Sequence, residues 1–319
     1  MDKIKQAEET TILLEHLSSI EFYQNRKTLK KLQILKDITF AAAEGDIRCV
    51  ICPQTLPIKI LLDIIANVRS YKSGKCHLLK LGMMKKKRQI LSHLFYIADT
   101  NLFYDDMEVF EYLHLILNDI GNSRQQKALL RDRLIHFNLE YLCNSTIKNI
   151  SAHEKSVILL FISLYSRCNI IIWNLPRLNY SEELIQSIKL ICDELSFQKK
   201  TLLIGTNDYR LADAVSTHIV TIENGYCTFS GTYNSLINTY DTLSYIMEVD
   251  EISEDVFQLL SEKFFVKKEN NTLYFHRLKN VSSLIKDMDT YNIHPITLVK
   301  HVPNLKDSLD IKWRVSVNE

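Results

Sequence analysis

The sequence predicts an α/β protein with a parallel core and a smaller α/β unit at its carboxyl end. Three observations carry this. First, Asn169-Ile170-Ile171-Ile172-Trp173-Asn174-Leu175-Pro176 is a short apolar run entered from polar Ser166-Arg167-Cys168 and closed by proline, the pattern of a strand buried on both faces. Second, this strand is framed by helices: an apolar segment over 154–165, and a helix capped by Ser181 with Glu182 and Glu183 in its first turn. A second strand over 201–205 follows, so the unit is helix, strand, helix, strand. Third, the composition changes from about residue 247, giving a helix over 254–263, a hairpin across Glu269-Asn270-Asn271, a helix over 281–290 and a strand over 296–300. The expected domains are therefore 1–246 and 247–319.

A chain of 319 residues that is 46% hydrophobic buries a substantial core. Lys and Arg (39) nearly cancel Asp and Glu (38) for a net charge of +1, so no bias toward polyanions is visible and no nucleic-acid partner is expected. Lys85-Lys86-Lys87-Arg88 is the one dense basic run and reads as a solvated surface segment. Seven cysteines, an odd number without a disulfide framework, favour a reducing compartment. Cys49-Val50-Ile51-Cys52 has redox-motif spacing but lies along an apolar strand, with no second such pair to complete a zinc site; buried free thiols are expected. The start, Met1-Asp2-Lys3-Ile4-Lys5-Gln6, lacks an apolar signal core, and no apolar run reaches a membrane-spanning length. The expected location is cytoplasmic, with any membrane association made through a partner.

Along the chain, strand-like patches occupy 11–23 and 34–51, the latter including Ile34-Leu35-Lys36-Asp37-Ile38-Thr39-Phe40 before Gly45-Asp46. After the strand ending near Ile51, residues 52–60 read as a loop, and Leu61-Leu62-Asp63-Ile64-Ile65 as helix. Residues 66–105 are more polar until Leu94-Phe95-Tyr96-Ile97-Ala98, a strand. Helices follow over 107–119 and 123–137, joined through Gly121-Asn122-Ser123. In Ile150-Ser151-Ala152-His153-Glu154, Ser151 with Glu154 three residues on predicts a capping box. Beyond Gly205 come Thr206-Asn207-Asp208, a helix over 209–215, and strands over 219–222 and 226–229 joined by Glu223-Asn224-Gly225, a strong hairpin turn. Gly231-Thr232 precedes a short helix.

In order and spacing over roughly residues 10–240, these segments resemble an ABC transporter ATPase subunit, which implies a P-loop NTPase-like ABC ATPase fold with an antiparallel β subdomain and a helical subdomain over about 100–165. The resemblance implies that nearly every catalytic residue has been replaced. Asn174 and Leu175 stand where the family has the Asp that holds the Mg²⁺ hydration shell and the Glu that activates water, while Pro176 matches its following proline. An amide supplies no charge, and leucine accepts no proton. Cys52, Thr55 and Pro57 stand at the glycines of the phosphate loop, Ile58 at its Lys, Lys59 at its Ser and Ile60 at its Thr; Pro53 is kept, and Gln54 replaces Asn. Such a loop needs glycines to aim N–H groups at phosphates, a Lys for the β/γ oxygens and a hydroxyl for Mg²⁺, and Pro57 removes one N–H. Lys59 reads as a surface lysine, although the helix start beside it also suits an anion.

The resemblance further places Asp99 at the family's hinge Gln, Asn207 at the His that contacts the γ-phosphate, and Ile150 to Glu154 at the Leu-Ser-Gly-Gly-Gln signature. It puts an adenine-stacking aromatic near Phe22 or Tyr23, and the partner-docking surface in the helical stretch that begins at Leu102. The tail from Val302 to Leu309 weakly resembles the Pro-Ser-Leu-Glu-Asp-x-Phe ending of exporter-type subunits. No catalytic residue, no bound metal and at most weak Mg²⁺-ATP binding are expected. The implied function is a non-catalytic subunit that pairs with an active ATPase subunit, docks on a permease, or both, at the inner face of the membrane. The alternative is a soluble scaffold or interaction protein on the same fold.

Overall fold

A computed structural model describes residues 10–20, 22–23, 31–82, 86–99, 103–117, 124–240, 243–250, 252–276, 278, 281–291, 293–301 and 304–310, without the side chains of 22, 23, 31, 124–126 and 240. Residues 1–9, the aromatic side chains at 22 and 23, Lys85, Leu102, the joint at 121–123 and Val302-Pro303 lie outside that description. The chain divides into two compact units, Met1–Tyr233 and Asn234–Glu319.

In the first unit, β1 (Thr10–Ser19), β4 (Ile38–Ala43), β6 (Tyr71–Leu78) and β7 (Leu81–Gly82) form an antiparallel sheet in the order β4-β1-β6-β7. The short strands β2 (Phe22–Tyr23) and β3 (Lys31–Leu32) pair separately. The central sheet runs β12-β11-β5-β10-β9-β8, built from β5 (Ile47–Ile51), β8 (Leu94–Ala98), β9 (Ile170–Asn174), β10 (Thr201–Gly205), β11 (His218–Glu223) and β12 (Tyr226–Thr232). All neighbours are parallel except β11 and β12. Every residue of β5, β9 and β10 is buried, which is why these segments are continuously apolar rather than alternating. Asn224 and Gly225 both have positive φ, +50° and +88°, as a two-residue turn matched to strand twist requires.

The helices are α1 (Thr55–Ile65), α2 (Lys87–Leu91), α3 (Val109–Ile116), α4 (Arg124–His136), α5 (Ala152–Tyr165), α6 (Glu182–Phe197) and α7 (Tyr209–Val215). Two corrections concern residues 52–60 and the segment after them. Residues 52–60 are not a loop throughout, because α1 begins at Thr55; Pro57 lies in the first helical turn, where its missing N–H costs nothing. Within the polar stretch 66–105, Tyr71–Leu78 is a full strand of the antiparallel sheet. Lys86, Lys87 and Arg88 are exposed, as the solvated-surface reading requires.

The end of α5 shows how a buried charge is placed. Lys200 is 9% exposed, and its ammonium donates to the carbonyls of Ser163, Leu164 and Ser166 at 2.8, 2.7 and 2.8 Å. All three donors are thus spent on carbonyls at a helix end, where the dipole favours a cation. Burial lowers the Lys200 pKa. Replacement by methionine keeps the stem and removes a donor from each carbonyl, of which Ser163 retains the Ser166 hydroxyl; Lys200→Met is expected to cost about 2 kcal/mol, seen as a lower urea midpoint at unchanged slope. All seven cysteines are free thiols, and Cys49, Cys52, Cys76, Cys143 and Cys192 are buried.

The second unit begins within α8 (Tyr233–Tyr240) and contains β13 (Leu243–Val249), α9 (Glu254–Lys263), β14 (Phe265–Glu269), β15 (Thr272–His276), α10 (Val281–Thr290) and β16 (Pro295–Lys300). Its sheet is antiparallel in the order β14-β15-β13-β16, the split βαββαβ arrangement. Met247, Val249, Leu260, Leu273, Phe275, Leu284 and Met288 form its core. The expected boundary at 246/247 falls inside β13, and the division lies instead between Tyr233 and Asn234. Pairing on both edges with β15 and β16 ties the whole of β13 to this unit.

Candidate functional site

The carboxyl ends of β5, β8, β9 and β10 lie side by side, and the loops leaving them carry most of the residues singled out by sequence. This is where open parallel sheets bind ligands. A cavity of about 240 Å³ there is lined by Thr55, Leu56, Lys59, Asp99, Asn174, Leu175, Pro176, Arg177 and Leu178. It brings together positions 55, 59, 99, 174 and 175, which are far apart in the chain. Cys52, Pro57, Ile58 and Ile60 do not reach it as functional groups: all four are buried, Ile58 with 0% exposure. A Cβ on Gly205 would sit 2.5 Å from Ile58 Cγ2 and 2.6 Å from Leu62 Cδ1, so glycine is what lets α1 approach β10 this closely.

The polar centre is a network that sequence reasoning did not find. Asn174 is 1% exposed, and its amide nitrogen donates to Asp63 Oδ1 at 2.8 Å, to the Tyr96 hydroxyl at 2.9 Å and to the Lys59 carbonyl at 3.2 Å. Tyr96 in turn donates to Asp63 Oδ1 at 2.6 Å. The acceptors on Asp63 and Lys59 fix the amide orientation, because the flipped amide would set oxygen against oxygen. Burial, and then the bond to Asp63, push the Tyr96 hydroxyl well above its usual range. Arg69, half exposed, places its Nε 3.8 Å from Asp63 Oδ2. Asn174 Oδ1 is buried without a hydrogen-bond partner. The signal that could have exposed the network is Asp63 itself, a lone carboxylate among Leu61, Leu62, Ile64 and Ile65.

Lys59 and Asp99 face each other across the cavity mouth with Nζ 3.0 Å from Oδ2. Their side chains are 43% and 61% exposed, so the pair adds little stability. It does mean that Lys59 is matched by a carboxylate rather than standing free at the helix start. Leu175 offers no acceptor.

A second, separate set forms around the start of α5. Ser151 caps the helix, its hydroxyl accepting from the Glu154 N–H at 3.2 Å while the Glu154 carboxylate accepts from the Ser151 N–H at 2.7 Å. This is the capping box read from the sequence. Ile150 is buried and Ala152 exposed. An open groove of about 850 Å³ beside them is lined by Ser151, His153 and Glu154 together with Tyr141, Asn179, Ser181 and Glu183. Burial, and then the Glu154 charge, raise the Tyr141 pKa to about 12. His153 stacks edge-on against Tyr180, ring centres 5.5 Å apart.

Asn207 lines neither cavity, and its Oδ1 is buried without a hydrogen-bond partner. Its neighbour Asp208, 4% exposed, carries the structural duty of the turn: it caps α7 and accepts from the Tyr180 N–H at 2.7 Å, tying the loop after β9 to the loop after β10. Among the described residues no three His, Cys, Asp or Glu side chains converge as metal ligands, and no helix is long and apolar enough to cross a membrane.

No protein-family model matches the chain, and no curated protein matches it. Solved structures do. The ATP-binding subunit of an ABC transporter superposes with a TM-score of 0.56 at 17% identity, covering 72% of this chain and 93% of that one. The chain has the fold of an ABC transporter ATPase. A nucleotide-free ATP-binding cassette gives 0.53 at 14% identity, with 70% and 91% covered. A cassette in its ADP conformation gives 0.56 at 14% identity, with 72% and 94% covered. Within this cassette fold, the loops after β5 and β9 meet at the smaller cavity, and the groove at the start of α5 stands apart from it.

Proposed function

We propose that this chain is a non-catalytic subunit of an ABC transporter, pairing with an active ATPase subunit, docking on a membrane permease, or both, at the cytoplasmic face of the membrane. The supporting observation is the Asn174–Asp63–Tyr96 network. The amide of Asn174 is committed to holding a carboxylate of its own chain, in the place where a magnesium–nucleotide complex needs free negative charge facing the metal. The other donors fit such a complex no better. Ile58 brings a hydrocarbon where a γ-phosphate needs a cation, Lys59 is matched by Asp99, and Leu175 cannot orient or deprotonate water.

Purified protein is therefore expected to show at most very weak Mg²⁺-ATP binding and no turnover, and Leu175→Glu is expected to leave turnover absent. Titration calorimetry and phosphate release check both. Micromolar, Mg²⁺-dependent affinity overturns the binding claim, and turnover that survives stringent purification overturns the catalytic one. For the transporter context, isolation of the tagged chain from membranes should bring down a homologous ATPase or a polytopic permease in stoichiometric amount. Recovery entirely in the soluble fraction without either would favour a scaffold on the same fold.

A further inference from the structure

The sheet of the second unit has two edges that differ in charge. On one side is β14, Phe-Val-Lys-Lys-Glu over 265–269, with three of its five residues charged beside Phe265, which is 71% exposed. Charges on an edge, lysines above all, are a standard protection against pairing with another strand. On the other side is β16, Pro-Ile-Thr-Leu-Val-Lys over 295–300, with no charge until its last residue. Its apolar side chains stand open on both faces. Val299 is 56% exposed on the face away from the helices, and Ile296 is 58% exposed although it shares the face of Leu298, which packs on the core. An uncharged, β-branched edge strand left open on both faces is a template for another strand.

We propose that β16 is the interface of a symmetric homodimer, in which the β16 strands of two copies pair antiparallel across a twofold axis and join their four-stranded sheets into one continuous sheet. A second copy is the occupant the edges select. Pairing β14 of one copy with β16 of the next would be head-to-tail and would not close; the charges of β14 oppose it. With one edge blocked and one open, association stops at two copies. The strand is also complementary to itself. A twofold axis at Thr297 sets Ile296 opposite Leu298 of the other copy on the helix-covered face. On the open face it sets Thr297 opposite Thr297 and Pro295 opposite Val299, pairs that stabilise neighbouring strands. Pro295, which has no N–H to offer, falls at the end of the ladder. The inference is independent of the proposed loss of ATPase chemistry.

A six-residue edge buries less than the roughly 800 Å² per partner of a stable interface, so the dimer is concentration-dependent. Sedimentation equilibrium of the full chain without nucleotide is expected to show a mass rising from 37.2 kDa toward twice that value as concentration increases. Thr297→Lys, on an exposed position beside Glu248, places two like charges at the axis and is expected to weaken association at least about tenfold. Val299→Lys gives the same result from a neighbouring position, and Phe265→Lys on β14 leaves association unchanged. Circular dichroism verifies that each variant is folded. A single-chain mass at every concentration overturns the proposal, as does a dimer that survives both β16 variants or a mass that grows beyond two copies.

Discussion

Ile58→Lys, which introduces a cation at the start of α1, is expected to unfold much of the protein rather than to create a binding site. Ile58 has no exposed surface and packs where α1 meets Gly205, so the ammonium of the introduced lysine has no water to reach. It must enter neutral, and a depression of about four pKa units costs about 5 kcal/mol at neutral pH. That is a large part of the total stability of a typical domain. The sign of the pH dependence is diagnostic. A lysine whose folded pKa lies below its unfolded value of about 10.4 is deprotonated first in the folded state, so the variant regains stability as pH rises between those two values. Urea unfolding at neutral pH and near pH 9 measures this. A variant as stable as the parent at neutral pH would mean that α1 can open the space beneath it to solvent, and the core described for Ile58 would be wrong.

Asn174→Asp is expected to lose about 3 kcal/mol at pH 7, for a different reason. The new carboxylate would stand where the amide now lies 2.8 Å from Asp63 Oδ1, with residues 63 and 174 only 6% and 1% exposed. Two buried carboxylates in contact cannot both ionise, and the pair retains a proton well above the ordinary carboxylate range. The folded state then holds a proton that the unfolded chain has released. The variant therefore loses stability as pH rises from about 4 through the raised value, and recovers it on acidification. The decisive comparison is the exchanged pair. Asp63→Asn combined with Asn174→Asp puts the carboxylate on the strand and the amide on the helix, and should restore most of the loss. If the double variant is no more stable than Asn174→Asp alone, the two side chains are not coupled. Both single substitutions meet a core that is closed around the residues now present, Ile58 and Asn174.

What could be read from the sequence was what local pattern determines. The buried run at 170–174 could only be a central strand, Asn224-Gly225 could only turn a hairpin, and Ser151 with Glu154 specified a cap whose bonds the structure contains. Long-range pairings were less legible. Tyr71–Leu78 was lost among polar residues because Lys72, Ser73, Gly74 and Lys75 are exposed, so one strand of a sheet with a solvated face carries little apolar signal. The helical course of 55–60 was hidden by reading those positions as a loop; without glycines, they follow the ordinary rule that proline is tolerated in a first turn. The site itself was half visible. Asn174 was found from its place after the strand, but its partners Asp63 and Tyr96 lie 111 and 78 residues away, and no periodicity reports that a strand end, a helix and a neighbouring strand bring them together.

The buried cysteines give this molecule a clock. Cys49 lies in the middle of the central sheet, and burial raises its pKa to about 12, so in the closed protein it is neither reachable nor a thiolate at neutral pH. Alkylating reagents attack thiolates, and the same side chain in an opened chain regains an ordinary pKa of about 8.5 and full access. The rate at which Cys49 is labelled therefore counts openings of the sheet, while the half-buried Cys168 and Cys227 record shallower motions of the same molecule. Mass spectrometry of a timed alkylation separates the two without any engineered probe, and gives each variant above an opening rate of its own.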